Sequence, residues 1–270
     1  MIVFGAVAPH GDPAFVEGSP TRSALEELGR RLDRSAADTT VVLTPHNVHV
    51  DGCFAVITAA KIAGSLDEQA LDLSASSGEQ PELELGVDLA LAGEVLDTLR
   101  EAGLPAVGVS YGSNDTMLAV MPMDWGTLVP LWFLGGQERD AHPVVVVSPA
   151  RDRPLADHVR AGEVLAEACA GRRVALVASA DHGHAHDPAG PFGFDPAAAE
   201  YDGRVVEIVR DNRLGDVLEL EAIAEAASAD SLWQLAMLHG ALGERFSAEL
   251  LSYERPTYFG MLCAAFEPRA

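Results

Sequence analysis

Lysine is almost missing from this chain. Of 270 residues only Lys61 is a lysine, and Lys and Arg together number 18 against 41 Asp and Glu. The resulting formal charge of −23 excludes a protein that tracks a phosphate backbone, because the field repels nucleic acid. Cysteine is scarce too. Cys53, Cys169 and Cys263 lie far apart without zinc-ribbon or redox spacing. They read as small core residues in a reducing cytoplasm. Long apolar runs are absent: segments such as Leu128 to Leu134 are far too short to span a bilayer. The N-terminus carries no basic leader, and its apolar start runs straight into Pro9-His10, as a strand does and a signal peptide does not. No linker, internal repeat or low-complexity tract divides the chain.

What is present is enough apolar material, 48% of residues, for one large core. Pro143 to Val147 is a continuous apolar run, the pattern of a parallel strand covered on both faces. Further strands are expected at 2–8, 38–43, 53–58, 105–109 and 173–179. Ser19-Pro20 is a helix start, an N-cap followed by a first-turn proline, and Leu25, Leu28 and Leu32 follow at helical spacing. Val87 to Ala102 carries Leu91, Val95 and Leu99 on one face, with Gly103 as its cap. Thr127 to Leu134 and Leu155 to Ala168 are also read as helices. Ala59 to Gln80, with its Ser76-Ser77-Gly78 turn, reads as an edge hairpin. Asp181 to Pro196 is a loop long enough to be functional. Helices are expected at 197–211, 219–228 and 230–242, then β-like segments at 248–253 and 257–266. The alternation predicts an α/β fold: a single domain over residues 1–270, with a mostly parallel or mixed central sheet flanked by helices on both faces.

Three of the predicted strands run into histidine. Ile2-Val3-Phe4 leads to Pro9-His10, Val41-Val42-Leu43 to Thr44-Pro45-His46, and Val174 to Val177 to Ser179-Ala180-Asp181-His182-Gly183-His184. Ligands of open α/β sheets bind beyond the carboxyl ends of the strands, so the fold is expected to gather these histidines around a metal ion. The two Pro-His steps make His10 and His46 the expected ligands, with His49 as the substitute for His46 in the same loop. Two histidines and one carboxylate on one face of iron leave positions open for substrate and oxygen. Among 41 acids the carboxylate is hard to choose; Glu254 stands out between two β-like segments, where a sheet end would aim it inward. His182, His184 and His186 alternate and would share one face of an extended segment. One of them is expected to be a general acid/base held by Asp181 or a backbone carbonyl.

In this order and spacing the motifs resemble the class III extradiol ring-cleavage dioxygenase superfamily, the group of the protocatechuate 4,5-dioxygenase catalytic subunit, which also holds the Memo-like proteins. The resemblance spans nearly the whole chain. It rests on Pro9-His10, Thr44-Pro45-His46, Ser179 to His184, the Gly193 to Pro196 turn into a helix, and Tyr253-Glu254. It implies His10, His46 and Glu254 as Fe(II) ligands, with Zn or Mn as alternative metals. It implies His184 as the catalytic acid/base and Asp181 as its neighbour. It further implies a small aromatic substrate, a catechol or aminophenol, opened with O2 by a protein that is commonly a homo-oligomer. Many members carry Asp-His-Gly before the apolar helix; here the stretch is Asp124-Trp125-Gly126. Tryptophan cannot transfer a proton, but it stacks on a ring, so Trp125, with His182 and His186, is an expected substrate contact. Memo-like relatives use a cysteine near the third ligand position, where this chain has Glu254. A zinc-dependent hydrolase on the same scaffold and a Memo-like metal-binding protein without ring cleavage are the alternatives.

Overall fold

The computed structural model describes residues 1–66, 81–138 and 141–269. Its strands are β1 (Ile2–Ala8), β2 (Thr39–Leu43), β3 (Phe54–Ile57), β4 (Lys61–Ser65), β5 (Glu82–Gly86), β6 (Ala106–Val109), β7 (Val120–Pro122), β8 (Val144–Ser148), β9 (Val174–Ser179), β10 (Phe246–Glu254) and β11 (Met261–Pro268). The α-helices among the described residues are α1 (Pro20–Ser35), α2 (Leu89–Glu101), α3 (Trp125–Leu131), α4 (Leu155–Ala168), α5 (Pro196–Arg210), α6 (Glu221–Ala224) and α7 (Leu232–Leu242).

Eight strands form one mixed sheet in the order β10-β11-β1-β9-β2-β8-β3-β6. Its centre is parallel: β1 pairs with β9, β9 with β2, and β2 with β8. Antiparallel pairing enters at β11 on one side and at β3 on the other. Strands β2, β8 and β9 are buried along their whole length, which is why they are continuous runs of Val, Ala, Leu and Thr rather than alternating patterns. A second sheet holds β5-β4-β7. Its β4–β5 pair is antiparallel from Lys61↔Gly86 to Ser65↔Glu82, so the second arm lies beyond the hairpin expected within 59–80; the Ser76-Ser77-Gly78 turn lies outside the described residues.

Helices cover both faces. Helix α4 packs on both α2 and α7, while α1 packs on β1, β10 and β11 and on the π-helical turn Trp132–Gly136 that follows α3. Glycine sets how closely α4 and α7 approach. A Cβ on Gly162 would lie 1.9 Å from the Met237 carbonyl, and one on Gly240 would lie 2.0 Å from the Val159 carbonyl. One expected helix is much shorter than its pattern suggested. Leu214, Val217 and Leu220 recur every third residue, and Leu214–Leu220 is a 3₁₀ segment that leaves α6 only Glu221–Ala224.

This topology fixes the site. Because β1, β9 and β2 are adjacent and parallel, their carboxyl ends lie side by side. They deliver His10, Asp181 and His46 to one edge of the sheet.

Candidate metal centre

Among the described residues one group of histidine, cysteine and acidic side chains converges tightly enough to hold a metal ion: His10, His46 and Asp230, whose ligand atoms lie within 4.8 Å of one another. His10 Nε2 is 3.0 Å from His46 Nε2. Asp230 Oδ2 is 3.3 Å from His46 Nε2 and 3.6 Å from His10 Nε2. The orientation of His10 is fixed behind it, where Nδ1 meets Ser179 Oγ at 2.9 Å, so Nε2 is the atom that faces the cluster. Two imidazole nitrogens facing each other beside a carboxylate need a proton or a cation between them, and the donor set suits a divalent metal. Asp230 Oδ1 is buried without a hydrogen-bond partner, a further acceptor at the cluster. Burial opposes protonation of His10, but Asp181 and Asp230 outweigh it and raise its pKa to about 9. Burial likewise opposes ionisation of Asp230, and the two imidazoles overcome it and hold its carboxyl well below the usual range. A metal would therefore displace a proton from this site.

The third group is thus Asp230 and not Glu254. Glu254 is the last residue of β10, and its Oε1 accepts the Thr21 backbone N–H at 2.9 Å in the first turn of α1. A carboxylate there complements the exposed N–H groups of the helix start. Asp230 sits just before α7, beside Ser231 at the N-cap. In sequence it resembles an ordinary capping acid among 41 acidic residues.

The downstream histidines do not share one face, because the segment is held by isolated bridges, Asp181↔Met261 and His186↔Phe194, rather than by a strand. His184 Nδ1 lies 2.8 Å from the His182 carbonyl and 3.0 Å from the Ser228 carbonyl. Both partners only accept, so the proton of the neutral ring sits on Nδ1 and Nε2 is left as a base. Phe192, Tyr258 and Phe259 surround the ring at centroid distances of 5.3, 6.0 and 5.3 Å. Asp181 is 2% exposed, accepts the His10 backbone N–H at 3.1 Å and places Oδ2 3.5 Å from His10 Nε2. It therefore braces His10 directly. Burial pushes its pKa up, with His10 opposing.

His182 and His186, expected to meet substrate, are instead engaged by the protein. His182 is fully buried with Nδ1 3.0 Å from Ser231 Oγ, which also meets Tyr201 Oη at 3.0 Å. His186 accepts from Arg255 Nη1 at Nδ1 (2.9 Å) and donates from Nε2 to Asp202 Oδ2 (2.8 Å). Asp202 also accepts from the Gly183 N–H at 2.7 Å and from Tyr253 Oη at 2.7 Å. His186 therefore belongs to the scaffold that holds the His184 loop. His49, the substitute for His46, meets Asp51 at the surface.

Trp125 lies beside the cluster. Its ring lies 4.5 Å from that of His46, tilted by 32°, and it is 44% exposed. The preceding Asp124 is a positioning residue that the sequence reading left without a role. It accepts from Thr44 Oγ1 (2.8 Å), Asn47 Nδ2 (2.9 Å), Thr127 Oγ1 (2.7 Å) and the Thr127 N–H (3.1 Å). One carboxylate thus caps α3 and ties down both ends of the Thr44–Asn47 turn that presents His46.

A family model, the catalytic LigB subunit of aromatic ring-opening dioxygenase, matches residues 7–263. Protein CA_C1420 of Clostridium acetobutylicum is 23% identical over 242 residues, 87% of this chain and 49% of that protein. The chain therefore spans about half the length of that relative. The solved structure of uncharacterized protein JW3007 from Escherichia coli K12 is 16% identical, with a TM-score of 0.66 over 97% of this chain and 99% of that chain. This likeness shows a shared fold. No described helix is long and apolar enough to cross a membrane.

Proposed function

The chain belongs to the family of the catalytic LigB subunit of aromatic ring-opening dioxygenases, and from that premise we propose that it opens the ring of a catechol or aminophenol with O2, using Fe(II) held by His10, His46 and Asp230. The observation that carries this reading is the convergence of two imidazoles and one carboxylate at the carboxyl ends of neighbouring strands. When bound on such a face, iron(II) supplies one-electron chemistry toward O2 and eases ionisation of a phenolic hydroxyl.

The chain's own residues do the rest. His184 takes the proton of a substrate hydroxyl at Nε2, because its Nδ1–H is committed to two carbonyls. Asp181 holds His10 from its backbone N–H and beside its ring. Trp125 offers its open ring face to the aromatic substrate. Phe192, Tyr258 and Phe259 set aromatic rings around His184.

The test is anaerobic reconstitution with Fe(II), followed by oxygen-electrode assays on catechols and aminophenols. Near-stoichiometric iron, one O2 consumed per substrate and a yellow ring-opened product are expected. Retention of zinc with no O2 uptake after iron loading would instead favour a hydrolase or a metal-binding protein without ring cleavage.

A further inference from the structure

We propose that Ser231 is a positioning residue whose hydroxyl locks the metal-facing carboxylate of Asp230 and the imidazole of His184 into one unit. The proposal rests on the ring-opening reading for the roles of Asp230 and His184, and adds a residue that acts through both.

Ser231 stands at the N-cap of α7, next to Asp230, and is fully buried. A serine in that place ordinarily turns its hydroxyl to the free N–H groups of the helix start. Ser231 does not: its side chain makes no cap bond. Its Oγ is instead 3.0 Å from His182 Nδ1 and 3.0 Å from Tyr201 Oη. The hydroxyl is thus diverted from its own helix to the loop after β9 and to α5.

That contact closes a circuit. From Ser231 Oγ it passes to His182, whose backbone carbonyl accepts the His184 Nδ1–H at 2.8 Å. The Ser228 carbonyl accepts the same Nδ1–H at 3.0 Å, and the His184 backbone N–H donates to the Ala227 carbonyl at 2.9 Å. The stretch from Ala227 to Ser231 therefore carries acceptors for His184, the Asp230 carboxylate and the hydroxyl that returns to His182. Within it Ser228 is held at φ 49°, the left-handed region, which a serine keeps only where its surroundings impose it. The carboxylate has no comparable support of its own, since Oδ1 has no partner and Oδ2 faces the two histidines. Its aim is set by the backbone on either side. Arg151 Nη2 donates to the Asp230 carbonyl at 2.9 Å, and Gln234 Nε2 donates to the Ser179 carbonyl at 3.1 Å. Those contacts tie the turn to the loop after β8 and to β9. Ser231 ties it to the ring of His182, whose carbonyl orients the base. A shift of Asp230 toward a metal is therefore carried into the acceptors of His184.

The experiment uses the full chain, with Zn(II) as a diamagnetic probe of the metal-holding cluster. Each protein gives two readings: Zn(II) affinity by competition with a chelator, and solvent exchange of the His184 Hδ1 proton by long-range proton–nitrogen NMR. The Hδ1 signal is assigned by its absence in His184→Gln. Ser231→Ala should weaken Zn(II) binding by about 10- to 100-fold, the usual cost of removing a group that orients a metal ligand, and speed the exchange of Hδ1 by a comparable factor. Tyr201→Phe removes a buried hydroxyl from the same network but keeps the Ser231–His182 contact. It should lower the melting temperature and leave both readings close to those of the unsubstituted protein. Equal losses in Ser231→Ala and Tyr201→Phe would reduce Ser231 to general packing. A change in one reading without the other would show that ligand and base are set independently. Either result overturns the proposal, as does a Ser231→Ala protein with both readings unchanged. His182→Leu cuts the same contact from the other side and gives the decision if Ser231→Ala does not fold. Neither reading depends on turnover. If the Fe(II)-loaded chain takes up no O2 with catechols or aminophenols, the ring-opening reading fails, while the coupling of Asp230 to His184 is still decided by these two measurements.

Discussion

Replacing one carboxylate separates the two acids that compete for the role of metal ligand. Asp230→Ala removes the oxygen that faces both histidines and should strip the metal. Glu254→Gln leaves the cluster untouched and should retain it, because its side chain only accepts from the first turn of α1. Inductively coupled plasma analysis of the two purified variants reads this directly; metal loss in Glu254→Gln with retention in Asp230→Ala would reverse the assignment. His184→Gln should keep iron and lower kcat by about 100- to 10,000-fold, the usual contribution of a positioned acid/base. If that variant lost its iron, His184 would belong with the ligands. The Pro-His steps made His10 and His46 legible, since each follows a run of β-formers and the sheet places those runs side by side. Asp230 was not legible. It comes from a helix start 184 residues beyond His46, and nothing in its local sequence distinguishes it from a capping acid. His182 and His186 misled for a related reason: alternation implies a shared face only in a regular strand, and this segment is pinned by Asp202, Ser231 and carbonyl groups instead.

At the scale of elements, the turn after β2 depends on a side chain from the next layer. Asp124 caps α3 while its oxygens hold Thr44 and Asn47 on either side of Pro45-His46. Asp124→Ala should therefore do two things at once. It should cost about 1–3 kcal/mol of stability through the lost cap and buried hydrogen bonds. It should also weaken metal affinity, although Asp124 touches none of the metal-holding atoms. Calorimetric unfolding and a metal titration on the same preparation test the pair of effects; a destabilised variant with unchanged metal affinity would show that His46 is held by other means. Most elements could be read from the sequence because pattern and burial agree. The continuous Val run of β8 and the leucine spacing of α1 are examples. The region before α7 could not, because a spacing of three residues suits a 3₁₀ turn as well as it suits a helix, and only packing against α5 and α7 decides.

Across the whole molecule, stability should depend on pH through histidines buried as neutral rings. Burial lowers the pKa of His158, His182 and His239. For a depressed histidine the stabilising contribution is complete above its unfolded value of about 6.5 and is lost as pH falls through the folded value. The melting temperature should accordingly fall as pH is lowered from about 6.5. Acidification also trims the net charge of −23, which acts in the opposite sense, so a variant comparison is the sharper measurement. His158 is fully buried, with Nδ1 bonded to the Pro154 carbonyl and Nε2 unpartnered. His158→Leu should flatten the acid limb of the melting profile relative to the unsubstituted protein; parallel profiles would show that His158 does not drive it.

The order of strands also dictates a history for each new molecule. β1 is translated long before its two neighbours in the sheet, β9, from Val174, and β11, from Met261. At synthesis rates of roughly 5–20 residues per second, the apolar segment Ile2–Ala8 must wait many seconds before either edge is covered. Ribosome-stalled fragments that end before β9 should therefore be more prone to aggregate than fragments that include it. A metal held by His10 and His46 would be loaded only after β9 has paired with both β1 and β2, since it lies between the strands that carry them.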